Sequence, residues 1–348
     1  MKAYIARRYG DPADALCLED VPQPQPGAGE VLIEVHAVTV NRTRDIQAVR
    51  GHYSGPDALP MVPGMDPAGE IVAVGDGVAD LQPGMRVVVN SRTPCNSCRF
   101  CNEGNDADCP HATQIGIHRW GGYAEYVAVP AMSCMVLPDR LPFADAAVTM
   151  RHGPTALMLL DGKAGLRPGE WVLVMGAAGG LGSTGVQIAK QLGATVIAGA
   201  GADERVAFAR SLGADYGINY RTSDLTDEVK RITGGRGVDV VFENISDPTT
   251  WPKAFAALAY AGRLVTVGAH GGGTVPLDAR QLYLNRLRVI GAAGANRRDA
   301  ERALAIAAEG KLRAPVEDVM PLARLPEAFA LIGEGKVAGK LVIDPSMS

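Results

Sequence analysis

The pattern of apolar residues changes near residue 145, and this change limits what the chain can fold into. Before it, short apolar runs are separated by Gly- and Pro-rich segments such as QPQPGAGE and VPGMDPAG, a pattern typical of strands joined by turns. After it, short apolar runs alternate with helical patterns. Because strands that alternate with helices indicate βαβ units, the second part predicts a parallel, doubly wound sheet. The chain as a whole is therefore expected to be α/β, with a β-rich first domain.

The same patterns predict the individual elements. The tail holds a helix in RRDAERALAIAAEGK and then a strand in GKLVIDP, and we expect it to return to the first domain because it follows the last strand of the sheet. The predicted strands are 31–40, 69–75, 85–90 and 123–130 in the first part, and 171–176, 194–200, 238–244, 262–268 and 287–294 in the second. The predicted helices of the second part are 181–192, 203–212, 223–233, 248–260 and 278–284.

Length and composition narrow the class of protein. A chain of 348 residues that is 47% hydrophobic can build two domains with sizeable cores. A net charge of −4 lacks the basic bias of a nucleic-acid-binding domain. No run approaches the roughly 18 apolar residues of a membrane span, and MKAYIARRYG lacks the apolar segment of a signal peptide. We therefore expect a soluble, cytoplasmic protein that acts on a small molecule and has no nucleic-acid or membrane partner.

A cysteine cluster predicts a metal site. Cys95, Cys98, Cys101 and Cys109 have C-x2-C-x2-C-x7-C spacing, and they are four of the six cysteines in the chain. Four thiolates are the usual ligands of a closed, structural zinc site. Reduced thiols or disulfides are the alternative, and a reducing cytosol disfavours disulfides. We predict one structural zinc per chain, held by a lobe at 92–112. Cys17 and Cys134 are expected to be buried apolar residues.

A glycine-rich turn follows the first strand of the predicted sheet. In WVLVMGAAGGLGSTGVQIAKQLGA, the residues Gly176, Gly179, Gly180 and Gly182 lie between an apolar strand and a helix. Small residues let the backbone approach a pyrophosphate, and the N-terminus of a helix offers N–H donors to it. The form is A-x-G-x-x-G rather than G-x-G-x-x-G, but the strand before and the helix after it support a dinucleotide site. A glycine-rich turn in an unrelated α/β fold is the alternative.

The end of the next strand indicates which dinucleotide is bound. NAD sites usually place an acidic residue there for the ribose hydroxyls, whereas this chain has Ala200 followed by Gly201. A small residue leaves room for a 2′-phosphate, and Arg205 on the next helix could bind it. Asp203 and Glu204 could pair with Arg205 instead, or Arg205 could be a solvated surface charge. We predict NADP(H).

These motifs together resemble the medium-chain dehydrogenase/reductase superfamily, which includes zinc alcohol dehydrogenases and zeta-crystallin-like quinone reductases. The resemblance covers nearly the whole chain and is carried by GEVLIEVHAVTVN, PMVPGMDPAGEIVAVG, the cysteine lobe, GGYAEYVAVP, RPGEWVLVMGAAGGLG, LGADYGINYR, AGRLVTVG and GKLVI. It implies a GroES-like catalytic domain at 1–152 and 295–348, and a Rossmann dinucleotide-binding domain at 153–294.

The family's catalytic zinc site looks dismantled in this chain. The resemblance places its three ligands at Asn41, Met65 and Arg151, or at His152 if the register slips by one. The amide and the thioether are weak, neutral donors, and the guanidinium is a cation, so these three side chains cannot coordinate Zn²⁺. Asn41 and the Gly-Met-Asp turn resemble the zinc-independent quinone and enoyl reductases, as do Gly51 and Tyr53. The cysteine lobe departs from that branch, and the loop NRTRD is one residue longer than usual.

The sequence gives two sets of candidate site residues. The alternatives are that Asn41 only caps its loop, that Asp66 only pairs with Arg151 or holds the domain hinge, and that Tyr53 only anchors a loop. The candidate catalytic residues are Asn41, Thr43, Tyr53, Asp66 and Arg151. The candidate cofactor-binding residues are Gly179, Gly180, Leu181, Ala200, Arg205, Gly268, Ala269 and Gly294, together with Tyr220 and Lys340, which the resemblance places near cofactor phosphates.

Three functions are consistent with this pattern. The first is an NADPH-dependent reductase of activated C=C bonds in quinones, enones, enals or enoyl thioesters, working without catalytic zinc. The second is an alcohol, sugar or carbonyl dehydrogenase of the same superfamily. The third is an NADPH-binding sensor with little catalysis. We favour the first, because an alcohol dehydrogenase needs a Lewis acid. The last strand of the sheet resembles an edge that pairs across a two-fold axis in the family, so we expect a homodimer or a tetramer.

Overall fold

A computed structural model describes residues 1–53 and 58–347, and the chain divides into two compact units. Unit 1 comprises Met1–Arg151, Asn296–Ala308 and Ala314–Ser348, and unit 2 comprises His152–Ala295 and Glu309–Arg313. The first boundary falls inside one helix, Phe143–Leu157. Each unit is described by itself below.

The described part of unit 1 is built mainly on antiparallel strands, and one pair, at the C-terminal end of the chain, is parallel. The longest strand pairs along its length with two neighbours, and the C-terminal strand joins it antiparallel at Thr39 and Val38. The strands are β1 (Lys2–Ala6), β2 (Leu16–Asp20), β3 (Glu30–Thr39), β4 (Ala68–Val74), β5 (Arg86–Val89), β6 (Arg92–Thr93), β7 (Thr113–Gln114), β8 (Tyr126–Pro130), β9 (Cys134–Val136), β16 (Val316–Pro321) and β17 (Lys340–Asp344). The main sheet has the order β16-β17-β3-β4-β5-β9, with β8 also paired to β3.

The helices of unit 1 lie between and after these strands. The helix that follows β3 begins at Asp45, the last residue of NRTRD, so the loop and the helix place polar side chains beside the end of β3. The helices are α1 (Pro12–Ala15), α2 (Asp45–Val49), α3 (Arg99–Asn102), α4 (Phe143–Leu157), α10 (Arg297–Ala308) and α11 (Leu325–Gly333). The core packs β-branched and aliphatic side chains of β3, β4, β5 and β8 against Tyr123, Phe329 and Leu325.

Unit 2 contains the predicted parallel, doubly wound sheet, which is confirmed. Its strand order within the described residues is β12-β11-β10-β13-β14-β15, and every pairing is parallel. Two βαβ halves therefore diverge from β10 and β13, and the carboxyl ends of these central strands form the usual ligand-binding edge. The strands are β10 (Trp171–Met175), β11 (Thr195–Ala200), β12 (Tyr216–Asn219), β13 (Val238–Glu243), β14 (Leu258–Thr266) and β15 (Arg288–Gly291). The helices are α5 (Gly180–Gln191), α6 (Asp203–Ser211), α7 (Leu225–Ile232), α8 (Trp251–Ala256) and α9 (Ala279–Leu284), with a π-helical turn at Met158–Lys163.

Two sequence predictions are wrong in detail. The predicted helix 248–260 is only Trp251–Ala256, because Asp247 accepts the backbone N–H groups of Thr249 and Thr250 in a turn before it and β14 already begins at Leu258. The run AALAYAGRLVTV is mostly apolar, and such a run does not distinguish a helix from a strand. Cys17 is exposed on β2 rather than buried, whereas Cys134 is buried as expected.

Within residues 1–53 and 58–347, no helix combines the length and the apolar character needed to cross a bilayer.

Candidate active site and cofactor site

The four predicted zinc ligands come together in unit 1. The Sγ atoms are 3.5 Å apart for Cys95–Cys109 and Cys98–Cys101, 3.8 Å for Cys98–Cys109, and 4.0 Å for Cys95–Cys101. A tetrahedron of sulfurs around zinc at Zn–S distances of about 2.3 Å has edges of roughly 3.8 Å. The observed distances match these edges and exclude disulfides, since all six cysteines are free.

Hydrogen bonds to the sulfurs support the same assignment. The backbone N–H of Cys95 donates to Cys109 Sγ at 3.4 Å, and the Ser97 hydroxyl donates to Cys95 Sγ at 3.6 Å. Donors of this kind stabilise thiolates and orient metal ligands. Among the described residues, these four cysteines are the one group of three or more Cys, His, Asp or Glu side chains close enough together to hold a metal ion. The residues present therefore fit one closed, structural zinc.

The end of β3 carries a buried polar network centred on Asn41. Asn41 is 5% exposed, and both ends of its amide are used. Its Nδ2 donates to Thr39 Oγ1 at 3.0 Å, and its Oδ1 accepts from Lys340 Nζ at 2.7 Å. The amide therefore links β3 to the first residue of β17.

Lys340 is buried in this network. Besides Asn41, its Nζ donates to the carbonyl of Val40 at 2.6 Å, and the residue is 7% exposed. Burial lowers the pKa of Lys340 to about 8, with the charge of Arg151 acting in the same direction and the charges of Asp45 and Asp66 opposing it. In this structure the Lys340 ammonium donates its hydrogen bonds to residues at the end of β3. Its contact with a cofactor phosphate stays a prediction.

Asp66 is the acid of the network. It is 2% exposed, accepts the Thr39 hydroxyl at 3.2 Å, and lies 3.7 Å from Arg151 Nε as an ion pair. Burial raises the pKa of Asp66, and the charges of Arg151 and Lys340 pull it back. The predicted pairing of Asp66 with Arg151 is therefore present, and it places a cation where the resemblance implies a metal ligand.

Asp45 is a second buried acid beside Asn41. Its Oδ2 accepts the Tyr123 hydroxyl at 2.6 Å and the backbone N–H of Asn41 at 2.9 Å. Its Oδ1 is buried and has no hydrogen-bond partner among the described residues. Burial raises the pKa of Asp45 to about 6, against the lowering effect of the Tyr123 hydrogen bond. Asp45 is therefore expected to ionise near neutral pH.

This shift predicts a pH-dependent stability. Because the folded-state pKa of Asp45 is raised, the stability contributed by its neutral form is complete below the unfolded value of 3.8 and is lost as the pH rises through about 6. Asp45→Asn cannot titrate, so its unfolding free energy should gain roughly 2.5 kcal/mol relative to wild type between pH 4 and pH 8. Urea unfolding at the two pH values measures this, with the exposed Asp20→Asn as the control. A difference between Asp45→Asn and wild type that does not vary with pH would contradict the assignment.

The other catalytic candidates lie close by in sequence but are more open. Tyr53 is 42% exposed, and its ring lies under the guanidinium of Arg44, with 4.7 Å from Arg44 Cζ to the ring centroid. Thr43 is half-buried. These contacts fit loop anchoring by Tyr53, and the proposed catalytic roles of Thr43 and Tyr53 stay predictions.

The positions implied for a catalytic zinc do not fit one. Asn41 is held by hydrogen bonds at both ends of its amide, and Met65 is buried in an apolar cluster with Ala48, Val49 and Ile117. Arg151 is a cation paired with Asp66. A thioether, a neutral amide and a guanidinium offer no anionic or imidazole ligand. We therefore derive no catalytic step through a metal at this place.

In unit 2, the glycine-rich turn adopts the geometry that a pyrophosphate site requires. Gly176 has φ +59°, and α5 begins at Gly180 with Gly179 as its N-cap and no side-chain cap. The backbone N–H groups of the first turn of a helix have no partner within the helix, so they can bind phosphate oxygens. A Cβ at Gly182 would lie 2.1 Å from the Gly176 carbonyl oxygen, so only glycine fits there.

At the end of β11, side chains gather around Gly201. A Cβ built on Gly201 would lie 3.3 Å from both Tyr220 Oη and Arg221 Nε. Burial raises the pKa of Tyr220, and the charges of Arg221 and Arg205 lower it, so both guanidiniums lie near its hydroxyl. Asp203 accepts from Asn219 Nδ2 at 2.8 Å, which gives that acid a partner other than Arg205. Ala200 itself is 2% exposed.

The remaining cofactor candidates lie at the carboxyl edge of the same sheet. Gly268 and Ala269 follow β14 and are exposed, and Gly268 has φ +98°. The Gly268 carbonyl accepts the Ser246 hydroxyl at 2.8 Å, which ties this loop to the one after β13. Gly294 follows β15 with φ +83°, and Leu181 is half-buried in the first turn of α5. Their contacts with a cofactor stay predictions.

Sequence reasoning missed two residues of these sites. Arg221 directly follows Tyr220 in INYR, and a second basic residue beside a predicted phosphate contact was the available signal. Asp45 lies at the end of the loop NRTRD, and an acid next to an apolar helix could have been recognised as buried.

Comparisons with known proteins agree with this architecture. Residues 27–139 match the alcohol dehydrogenase GroES-like domain, and residues 180–309 match the zinc-binding dehydrogenase family. An NAD-dependent alcohol dehydrogenase of Sulfolobus acidocaldarius is 34% identical over 99% of both chains. The crystal structure of AibC has a TM-score of 0.93 at 33% identity and covers 100% of this chain and 96% of its own. The structure of a crotonyl-CoA carboxylase/reductase in complex with NADP has a TM-score of 0.88 at 27% identity. The match covers 99% of this chain and 94% of that one.

Both family models together cover most of the chain, and the relatives align with it from end to end. The two units are accordingly a GroES-like domain and a Rossmann domain, and the molecule is an oxidoreductase. This chain belongs to the zinc-type medium-chain dehydrogenase/reductase superfamily.

Proposed function

We propose that this protein is an NADPH-dependent reductase of activated C=C bonds that needs no catalytic metal. The observation that carries the proposal is the closed network at Asn41, Asp66, Arg151 and Lys340. At two of the positions that the resemblance implies for metal ligands it holds a neutral amide and a guanidinium, which are not zinc ligands, and the neighbouring Asp66 carboxylate is already bound by Thr39 and Arg151. The substrate class is a quinone, an enone, an enal or an enoyl thioester.

The chemistry follows from what such a site can stabilise. Reduction of an isolated carbonyl needs a strong electrophile at the oxygen, a role that zinc fills in alcohol dehydrogenases. With NADPH bound, a conjugated acceptor would receive hydride at its β-carbon, the charge would spread into an enolate, and a proton from a side chain or solvent would then add to the α-carbon. Positive charge and hydrogen-bond donors aimed at that oxygen stabilise it. Because both ends of the Asn41 amide are used internally, Arg151 is the better candidate for this role, with Tyr53 and Thr43 as candidate donors.

Labelled cofactor tests the proposal directly. Reduction of an enone with NADPH deuterated at the transferable position should place deuterium on the β-carbon of the saturated ketone, as read by NMR. Deuterium on the carbonyl carbon, with an allylic alcohol as product, would replace this proposal with the dehydrogenase function.

The preference for NADPH over NADH rests on the cluster at the end of β11. Gly201 carries no side chain, Tyr220 and Arg221 lie beside it, and the positive charges of Arg221 and Arg205 both act on the Tyr220 hydroxyl. Guanidinium groups match phosphate oxygens in charge and geometry. The crotonyl-CoA carboxylase/reductase structure holds NADP, whereas the Sulfolobus acidocaldarius relative is named NAD-dependent. The local charge decides our choice of NADP(H).

Replacing Arg221 should reveal this preference. Arg221→Gln removes one charge-assisted contact to a 2′-phosphate, so NADPH affinity should fall about tenfold to a hundredfold while NADH affinity changes little. Fluorescence titration with each cofactor measures the ratio, and Arg210→Gln on the same face of the fold serves as the control. Equal losses for both cofactors would show that Arg221 does not contact the 2′-phosphate.

The dehydrogenase function is the second candidate, because most of the similar proteins are named alcohol dehydrogenases. It would require the metal position to be filled by ligands other than those implied by the resemblance. The described residues contain no second group of metal-binding side chains, so we rank this candidate lower.

We also propose that the protein is a homodimer. Within the described residues, β15 is an edge strand of the unit 2 sheet, paired with β14 alone. Its unpaired edge can pair with the same strand of a second copy. Large apolar side chains are exposed nearby, at Tyr260, Tyr283 and Leu284. Light scattering after size-exclusion chromatography should give twice the mass of one chain; the mass of a single chain would contradict the proposal, and four times that mass would indicate a tetramer.

A further inference from the structure

Arg44 is a half-buried cation without an anionic partner among the described residues. It precedes α2 in the lengthened loop NRTRD, and its guanidinium lies over the Tyr53 ring at 4.7 Å. No hydrogen bond or ion pair of this guanidinium occurs within the described chain. Burial lowers the pKa of Arg44 and the charges of Arg151 and Arg92 lower it further, whereas Tyr53 and Asp66 act in the opposite direction.

The two other arginines are also incompletely used. Arg151 lies 3.7 Å from Asp66 through Nε only. Arg92 Nη2 donates to the carbonyl of Cys109, but its Nε is buried with no partner in the part of the chain that the structure describes. The charges of Arg151 and Arg92 thus act on Arg44, and the carboxylate of Asp66 opposes them, although Asp66 already accepts the Thr39 hydroxyl and pairs with Arg151.

Such an arrangement is unfavourable unless an anion joins it. Like charges that are partly removed from water destabilise one another, and a bound carboxylate relieves the repulsion with charge-assisted hydrogen bonds. Among the described residues, neither neighbouring arginine is both partly buried and without an ion pair, as Arg44 is. Arg50 pairs with Asp11 at 2.7 Å, and Arg42 is exposed to solvent.

We propose that Arg44 binds a carboxylate of the substrate while Arg151 faces its carbonyl oxygen, so that the acceptor is an activated alkene that carries a carboxylate group. The inference rests on the proposed function, since it names the substrate class of the same site. A planar carboxylate suits bidentate binding by a guanidinium. A 4-oxo-2-enoate illustrates the class: its carboxylate would lie at Arg44 and its ketone oxygen at Arg151, where the enolate charge develops.

The first test compares 4-oxopent-2-enoate with its methyl ester in wild-type protein and NADPH. The acid should show a kcat/KM about a hundredfold higher than the ester, the size expected for one charge-assisted contact. In Arg44→Met the ratio should fall towards one, whereas Arg50→Met should keep the wild-type ratio. An ester that reacts as well as the acid in wild type would overturn the proposal, and this comparison needs no variant.

The second test measures binding without reaction. Calorimetric titration of the protein in the absence of cofactor with the saturated 4-oxopentanoate should give a Kd at least tenfold lower in wild type and Arg50→Met than in Arg44→Met. Equal affinities in all three proteins would contradict the anion site. If the probe binds through Arg44 but no enone is reduced, the anion site stands and the proposed reductase function fails. If enones are reduced without preference for a carboxylate, the reverse holds.

Discussion

Gly182→Ala should weaken NADPH binding at least a hundredfold. The added Cβ would lie 2.1 Å from the Gly176 carbonyl oxygen and 2.7 Å from its carbon, and both atoms belong to the backbone. A side-chain rotation cannot relieve this clash, so the backbone of the turn must shift. The shift displaces the N–H groups at the start of α5. A displacement near 1 Å at a binding group can cost about a hundredfold. Equilibrium fluorescence titration with NADPH measures the change.

Gly162→Ala is the matched control for this experiment. It makes the same substitution in the same unit, and nothing lies within 4 Å of the added Cβ. It should bind NADPH as wild type does. If Gly182→Ala binds within threefold of wild type while its unfolding transition is unchanged, the turn after β10 is not the pyrophosphate site.

Cys98→Ser should remove the structural zinc. Cys98 Sγ lies 3.5 Å from Cys101 Sγ and 3.8 Å from Cys109 Sγ, so its loss opens one corner of the tetrahedron. Because binding energy at a structural zinc site acts as folding energy, the unfolding free energy should fall by several kcal/mol, about 3 or more. Zinc content per chain should drop from one to below about 0.1.

Elemental analysis and thermal unfolding with and without chelator measure both effects. Cys17→Ser is the control, because Cys17 is exposed on β2 and lies outside the cluster. Wild type and Cys17→Ser should lose stability when chelator is added, whereas Cys98→Ser should show no further loss. Full zinc content in Cys98→Ser would rule out the four-thiolate site.

The predictable parts of this protein are those encoded by local spacing. The four cysteines lie within one short loop, so their spacing alone predicts a shared metal ion. The turn of Gly176 and Gly182 lies between a strand and a helix that are adjacent in sequence, so its geometry is also local. The strands of the parallel sheet were recognisable because each is an isolated apolar run between helical patterns.

The buried network could not be predicted in the same way. Lys340 and Asn41 are 299 residues apart, and they meet because β17 pairs with β3. Register between distant strands is not visible in either segment alone, so the sequence does not indicate the contact between Lys340 and Asn41. The Asp66–Arg151 pair was anticipated only as an alternative, because the resemblance placed both residues near one metal position.

The most direct test of the central claim is turnover combined with metal content in one preparation. NADPH oxidation is measured with a quinone, an enone, an enoyl thioester and a saturated ketone, while zinc per chain is counted. Our account predicts turnover of conjugated acceptors alone, with one zinc per chain held by the cysteine lobe. Turnover of the saturated ketone together with two zinc ions per chain would contradict it and establish a metal-dependent dehydrogenase.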